Sequence, residues 1–232
     1  MSIGSNEHLY AALVITILTC LLVYFAKALK AQQGHYKDLR TFIGLWALMV
    51  CLHDNFYYLT HIEDYTQPLP LHFCDISFVL AVMAILTQIR FFRVCLYFWA
   101  FGLSFNAIIL PGVNFNAHEI EYWMFWLAHG IVVGFAIFDI LTEKLDINFK
   151  DFLQALVFTS AFAIFLMIYN YINKTEYGFL GPILDESNPL SKLGPYPLRL
   201  LWIFLLIVLV YIILYLPWFV YGRYKRKRHI QK

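Results

Sequence analysis

The strongest constraint on the fold is a series of seven apolar stretches, each about 20 residues long. They cover residues 8–27, 41–60, 70–89, 92–111, 121–142, 151–172 and 197–221. A helix needs about 20 apolar residues to cross the hydrocarbon core of a bilayer. Hydrophobic residues make up 61% of the chain and charged residues 14%, whereas soluble domains are about a quarter charged. The sequence therefore predicts an all-α polytopic membrane bundle with about seven transmembrane helices.

The loops predict one domain and one orientation. No low-complexity linker divides residues 1–232, so a single membrane domain is the simplest organisation. If the N-terminus is outside, only three of the 17 Lys and Arg residues, Lys174, Lys192 and Arg199, fall on the outer side. Positive charge concentrates in cytoplasmic loops. We therefore expect an N-out, C-in, multi-pass protein of the cell membrane.

The C-terminal residues 223–232 form a strongly basic tail directly after the last apolar stretch. A basic run could indicate nucleic-acid binding. Next to a membrane span, however, such a run usually anchors the topology and attracts anionic lipid. We expect a cytoplasmic anchor of this kind and no nucleic-acid partner.

The segment from Leu69 to Ser77 carries the most informative polar residues. It reads LPLHFCDIS and places His72, Cys74, Asp75 and Ser77 at the start of an apolar stretch. Polar and ionisable groups inside a membrane are costly, so they usually face a protein interior or a cavity.

Other apolar stretches carry polar residues at a similar predicted depth. With the N-terminus outside, they fall in the outer half of the membrane, and Asp139 is the main exception. Each buried polar group would then supply hydrogen-bond partners for the others, which predicts a shared cavity that opens outward. The members of this predicted cavity outside 69–77 are His53, Asp54, Asn55, Ser104, Asn106, His129, Asn170 and Asn173.

Two residues are the candidates for catalysis. Cys74 lies in the first turn of a helix, where a thiolate is favoured, and histidines are expected at similar depth. The alternative is an inert buried thiol. His129 could act as a general base or serve a structural role. Asp54 could orient an imidazole or pair with the backbone or with His61, and we expect Asp75 to project about 100° away from Cys74 along the helix.

A zinc site is an alternative to a reactive thiol for this predicted cavity. His53, His72 and His129 at one depth would suit zinc, but no HExxH or similar spacing supports such a site. The four cysteines form no CxxC pair and are expected to be separate thiols. We therefore expect no metal and no cofactor.

Residues 69–77 resemble the LPLxxCxxS signature of the YwaF family of bacterial integral membrane proteins. Further similar motifs follow in order at Tyr97–Gly102, His129, Asn170 with Tyr177–Leu180, Leu193–Pro197 and Tyr215–Pro217. The resemblance implies a helical bundle of six or seven spans, and, because the family is bacterial, a location in a bacterial plasma membrane. It also implies an activity, because an animal relative is an acyltransferase that carries an acyl group on a cysteine. By similarity that cysteine is Cys74, and the histidine of the later span is His129.

The expected function is an acyltransferase or acyl hydrolase that acts on membrane phospholipid or another acyl lipid at the outer leaflet. Cys74 would attack the acyl carbonyl, His129 would move the proton, and Ser77, Asn106 or backbone N–H groups would stabilise the oxyanion. The alternative is a small-solute transporter or binding protein that uses the same cavity, although a carrier should show a repeat or a continuous polar pathway. A seven-helix receptor is a third alternative.

Overall fold

The computed structural model describes residues 6–31, 35–61, 69–109, 118–184 and 188–230. Within these ranges the chain is helical and contains no strand, which confirms the predicted all-α class. The α-helices are α1 (Asn6–Ala31), α2 (Tyr36–His61), α3 (Phe73–Thr87), α4 (Arg90–Trp99), α5 (Phe105–Ile109), α6 (Ile120–Thr142), α7 (Phe149–Asn173) and α8 (Leu198–Ile230).

The described helices provide six segments that are long and apolar enough to cross a membrane, with Arg90–Ile109 counting as one. The third predicted span is shorter than expected. Helix α3 has 15 residues and is about 22 Å long at 1.5 Å per residue, because it begins at Phe73 and not at Pro70. Residues 69–72 are not helical, and Leu71 donates its N–H to the carbonyl of Leu69 at 2.9 Å, which closes a short turn before the helix. The predicted polytopic bundle is confirmed, with six long spans and one short apolar helix.

Packing divides the chain into two compact units. Unit 1 comprises Met1–Thr60 and Cys74–Leu145, and unit 2 comprises His61–Phe73 and Asp146–Lys232. The core of unit 1 is apolar, and its most deeply buried large side chains include Phe78, Ile85, Leu96, Val132 and Phe138.

In unit 1, glycines of α6 face α1 at close range. A Cβ atom at Gly130 would lie 3.1 Å from the side chain of Ile15, and one at Gly134 would lie 3.0 Å from Thr19. Small residues let membrane helices approach closely, so these glycines set the spacing between α1 and α6.

A two-residue connection, Gln88 and Ile89, joins α3 to α4. Gln88 takes a positive φ of 57°, and its side-chain amide donates to the carbonyl of Ala84 at 3.0 Å. Helix α4 then passes into α5 through a π-helical turn at Ala100–Ser104, where the N–H of Phe105 bonds the carbonyl of Ala100. Such turns are often found at functional sites.

Unit 2 is organised around α7 and α8. Helix α7 begins with a capping box in which Asn148 and Asp151 bond each other's backbone N–H groups at 2.8 and 3.1 Å. The two helices are joined by a hydrogen bond of 2.7 Å between the hydroxyls of Thr159 and Tyr211. The predicted basic tail continues α8 to Ile230, but its side chains from residue 225 onward lie outside the described part of the chain.

Candidate functional site

Cys74 lies in the first turn of α3 and is partly buried. Its Sγ donates a weak hydrogen bond to Oδ1 of the neighbouring Asp75 at 3.6 Å, and a thiol is a weak donor in general. Asp75 therefore contacts Cys74 directly, although the helical spacing predicts that the two side chains diverge. The carboxylate is placed where it could accept the thiol proton.

His129 is almost fully buried in α6, with 6% of its surface exposed. Its Nδ1 bonds the carbonyl oxygen of Phe125 at 2.8 Å, and the two rings are 4.2 Å apart. A carbonyl oxygen only accepts hydrogen bonds, so Nδ1 carries a proton. In the neutral imidazole Nε2 then has the free lone pair, and that is the form a general base requires.

The predicted pair of Cys74 and His129 is not joined by a hydrogen bond between the thiol and the imidazole within the described residues. Each side chain has its own partner, Asp75 in one case and the backbone of α6 in the other. The joint action of the two residues stays a prediction.

The polar residues of α2 are arranged along one end of the helix. His53 is exposed, and its ring stacks on Tyr57 with 6.4 Å between centroids. Asn55 donates to the carbonyl of Cys51 at 2.7 Å and to its Sγ at 3.5 Å. Asp54 is partly buried. Its possible partner His61 has a side chain outside the described part of the structure, so that pairing stays a prediction.

The candidate oxyanion groups differ in burial. Ser77 is fully buried in α3, whereas Asn106 is exposed and donates to the carbonyl of Gly102 at 3.3 Å in its own helix. Ser104 lies in the π-helical turn and is 3% exposed. Its hydroxyl has no hydrogen-bond partner within the described residues.

His72 and Asn170 belong to unit 2 and hold the loop that follows α7. Asn170 is fully buried, and its amide bonds both the N–H and the carbonyl of Tyr177 at 2.9 Å. Its oxygen also accepts the Thr175 hydroxyl at 2.7 Å. The Nδ1 of His72 accepts the N–H of Gly178 at 3.4 Å. In this structure Asn170 is a loop anchor, because both lone pairs of its oxygen are used.

Sequence reasoning missed a group of charged residues in unit 1. The carboxylate of Glu143 accepts hydrogen bonds from Tyr36 at 2.5 Å, Lys30 at 2.9 Å and Arg40 at 3.2 Å. Burial raises the pKa of Glu143, but these hydrogen bonds outweigh that effect, and the net pKa is lowered. The available signal was the four-residue spacing between Asp139 on α6 and Glu143 directly after it, since two like charges at this spacing are unfavourable without nearby cations.

His8 is not among the predicted site residues. The structure buries it in α1, where Nε2 bonds the carbonyl of Ile108 at 2.8 Å and the ring lies 5.5 Å from Trp126. No group of three His, Cys, Asp or Glu side chains in the described ranges is arranged to hold a metal ion.

Comparison with known proteins adds one finding. The model of the TMEM164 family matches residues 3–215, which is most of the chain. The match supports a membrane protein of the TMEM164 family. It does not confirm membership of the YwaF family, which the sequence motifs resemble. No curated protein and no solved structure matches the chain.

Proposed function

The chain belongs to the TMEM164 family, and we propose that this multi-pass membrane protein is a thiol-dependent acyltransferase or acyl hydrolase acting on membrane lipid. The observation that best supports the proposal is the state of His129. A buried imidazole with its proton fixed on Nδ1 is suited to remove a proton from a thiol or a hydroxyl. A purely structural histidine would not require the Nε2 lone pair to be available.

Cys74 is the proposed nucleophile. Its thiol loses a proton to His129 Nε2, and Sγ attacks the acyl carbonyl of the lipid to form a tetrahedral oxyanion. The intermediate expels the lipid alkoxide, which takes the proton from the imidazolium, and a thioester remains on Cys74. An acceptor hydroxyl, or water in a hydrolase, then attacks the thioester with His129 again as the base, and the thiol is restored.

The residues around Cys74 have proposed supporting roles. Asp75 contacts the thiol at 3.6 Å and provides a second acceptor for its proton. The buried Ser77 and the backbone N–H groups at the start of α3 are the proposed oxyanion donors, since a helix N-terminus favours negative charge. We propose that lipid enters from the outer leaflet, in agreement with the loop charges.

The proposal is tested by intact-protein mass spectrometry after incubation of the purified protein with phospholipid. We expect a covalent acyl adduct that hydroxylamine removes and that is absent from Cys74→Ala. Cys20→Ala is the matched control, because Cys20 is an exposed free thiol on α1 and has no proposed role. An adduct that persists in Cys74→Ala would overturn the covalent mechanism.

A second variant separates the chemistry from folding. In His129→Asn the side-chain amide can still donate to the Phe125 carbonyl, but the basic Nε2 is lost. We expect the variant to fold and to form the adduct at least 100-fold more slowly, as general-base catalysis contributes roughly 10²–10⁴-fold. Normal rates in His129→Asn, or solute uptake into vesicles without any adduct, would favour the transporter alternative.

A further inference from the structure

Arg199 is a buried cation in unit 2. It lies in the first turn of α8, and only 6% of its surface is exposed. One guanidinium nitrogen, Nη2, donates to the carbonyl of Gly181, and the Tyr196 ring lies 5.6 Å from Cζ. The Nε–H group is buried and has no partner among the described residues.

Within the described part of the chain, the positive charge of Arg199 has no counterion. Among the described residues, no carboxylate lies within 4.0 Å of the guanidinium. In unit 1 the partly buried Arg93 is paired with Asp139 at 2.9 Å. Buried charges are usually paired, and the start of a helix carries positive charge that disfavours a second cation there. A buried arginine in this position needs an anion.

The group that faces Arg199 is held rigidly. Gly181 belongs to the loop that Asn170 anchors through Tyr177 and Thr175. A Cβ atom at Gly181 would lie 2.1 Å from the Thr175 carbonyl oxygen, so only glycine fits. The carbonyl that fixes Nη2 is therefore part of a preformed loop, and the guanidinium does not need to be ordered when a ligand binds. Preorganisation of this kind favours binding.

We propose that Arg199 binds a phosphate-type oxyanion, and that the anion is the phosphodiester of a membrane lipid. Arginine recognises phosphate through two neighbouring N–H groups, and the unpartnered Nε–H supplies one of them. The residue begins the most apolar candidate span of the chain, and lipid phosphates lie at the ends of membrane spans. This binding does not require acyl transfer, so the site could hold a lipid that is not a substrate.

The test measures binding to detergent-solubilised protein with three probes. These are dioctanoylphosphatidylglycerol, dioctanoylglycerol with the same chains but no phosphate, and inorganic phosphate. Native mass spectrometry should show phosphatidylglycerol bound to the wild type and weakened about ten-fold or more in Arg199→Gln, since a charge-assisted hydrogen bond is lost. Gln retains an amide that can donate to Gly181. Lys192→Gln, which removes an exposed cation from the same connection, should bind as the wild type does.

Several results would overturn the proposal. If dioctanoylglycerol binds as tightly as phosphatidylglycerol, the affinity comes from the acyl chains and not from the phosphate. If inorganic phosphate alone saturates the site, the ligand is free phosphate and not a lipid. Unchanged phosphatidylglycerol binding in Arg199→Gln would exclude this residue. If Arg199→Gln does not fold, Arg199→Lys keeps the charge but loses the two-point contact, and it should still bind less tightly.

An internal counterion is the remaining alternative. Asp185 and Glu186 follow Gly181 in the chain and lie outside the described residues. If one of them neutralises Arg199, the variant Asp185→Asn/Glu186→Gln should lower the Tm as Arg199→Gln does, and the effects should not add. Lipid binding that survives in Asp185→Asn/Glu186→Gln and disappears in Arg199→Gln would support the proposed site.

Discussion

Arg93 and Asp139 form a buried, two-point ion pair between α4 and α6. The Nε of Arg93 donates to both carboxylate oxygens of Asp139, at 2.9 and 3.0 Å. The two side chains are 15% and 4% exposed. A second guanidinium nitrogen of Arg93 donates to the carbonyl of Glu143 at 3.4 Å. The pair explains why Asp139 departs from the predicted cluster of polar residues, because it has a partner of its own.

Removing one partner of this pair should be costly. Asp139→Asn leaves the Arg93 charge buried without a counterion, and we expect a loss of stability of roughly 3 kcal/mol. The double variant Arg93→Met/Asp139→Leu should recover much of that loss. Thermal unfolding in detergent measures both, with the exposed Lys37→Gln as a control that should shift little. A double variant that is no more stable than Asp139→Asn would contradict this account.

Glu143 should make the stability of unit 1 depend on acid pH. Its pKa in the folded protein is lowered, so its contribution is present above the unfolded pKa of about 4.3. The contribution is lost as the pH falls through the folded pKa. Glu143→Gln should therefore lower the Tm at pH 7, and its difference from the wild type should shrink below about pH 4.3. Measured Tm values across pH 3–8 would contradict the prediction if that difference stayed constant.

The prediction of a span depends only on the length of a continuous apolar stretch. Most of the predicted spans therefore correspond to long helices in the structure. The exception is α3, where Leu71 bonds Leu69 in a turn and the helix starts only at Phe73. The apolar sequence alone does not distinguish this turn from a first turn of helix. The π-helical turn at Ala100–Ser104 could not be predicted from the pattern of apolar residues. The residue types within it are those of an ordinary membrane helix.

Partners of polar side chains could not be predicted in the same way. Arg93 and Asp139 are 46 positions apart, so their pairing depends on how α4 and α6 pack. The sequence predicts that Asn170, as a polar group in an apolar stretch, lies in a shared cavity, whereas in the structure it bonds the loop that follows α7. Its partner Tyr177 is only seven positions away, but the contact requires the chain to reverse at Lys174, which adopts a left-handed conformation.

Asn170 should be much more important for stability than its neighbour Asn173. Asn170→Ala removes the hydrogen bonds to Tyr177 and Thr175 and leaves buried backbone groups without partners, at a cost of about 3 kcal/mol. Asn173 is exposed and bonds only the Tyr169 carbonyl of its own helix at 3.0 Å, so Asn173→Ala should cost less than about 0.5 kcal/mol. Thermal unfolding and limited proteolysis of the 174–184 loop compare the two variants. Similar losses in both would show that Asn170 is not the anchor.

Removing the hydroxyl of Ser104, unlike removing the Asn170 side chain, should not destabilise the protein. Its Oγ is buried without a hydrogen bond within the described structure, and the Ala100 carbonyl one turn earlier already accepts the N–H of Phe105. Ser104→Ala removes an unsatisfied polar group, so the stability should stay constant or rise by up to about 1 kcal/mol. Thr159→Val is the contrasting variant, because the Thr159 hydroxyl bonds Ala155 and Tyr211 at 2.8 and 2.7 Å, and its loss should cost about 1 kcal/mol. Thermal unfolding of the two variants tests this difference, and a clear loss of stability in Ser104→Ala would mean that the hydroxyl has a partner in the membrane.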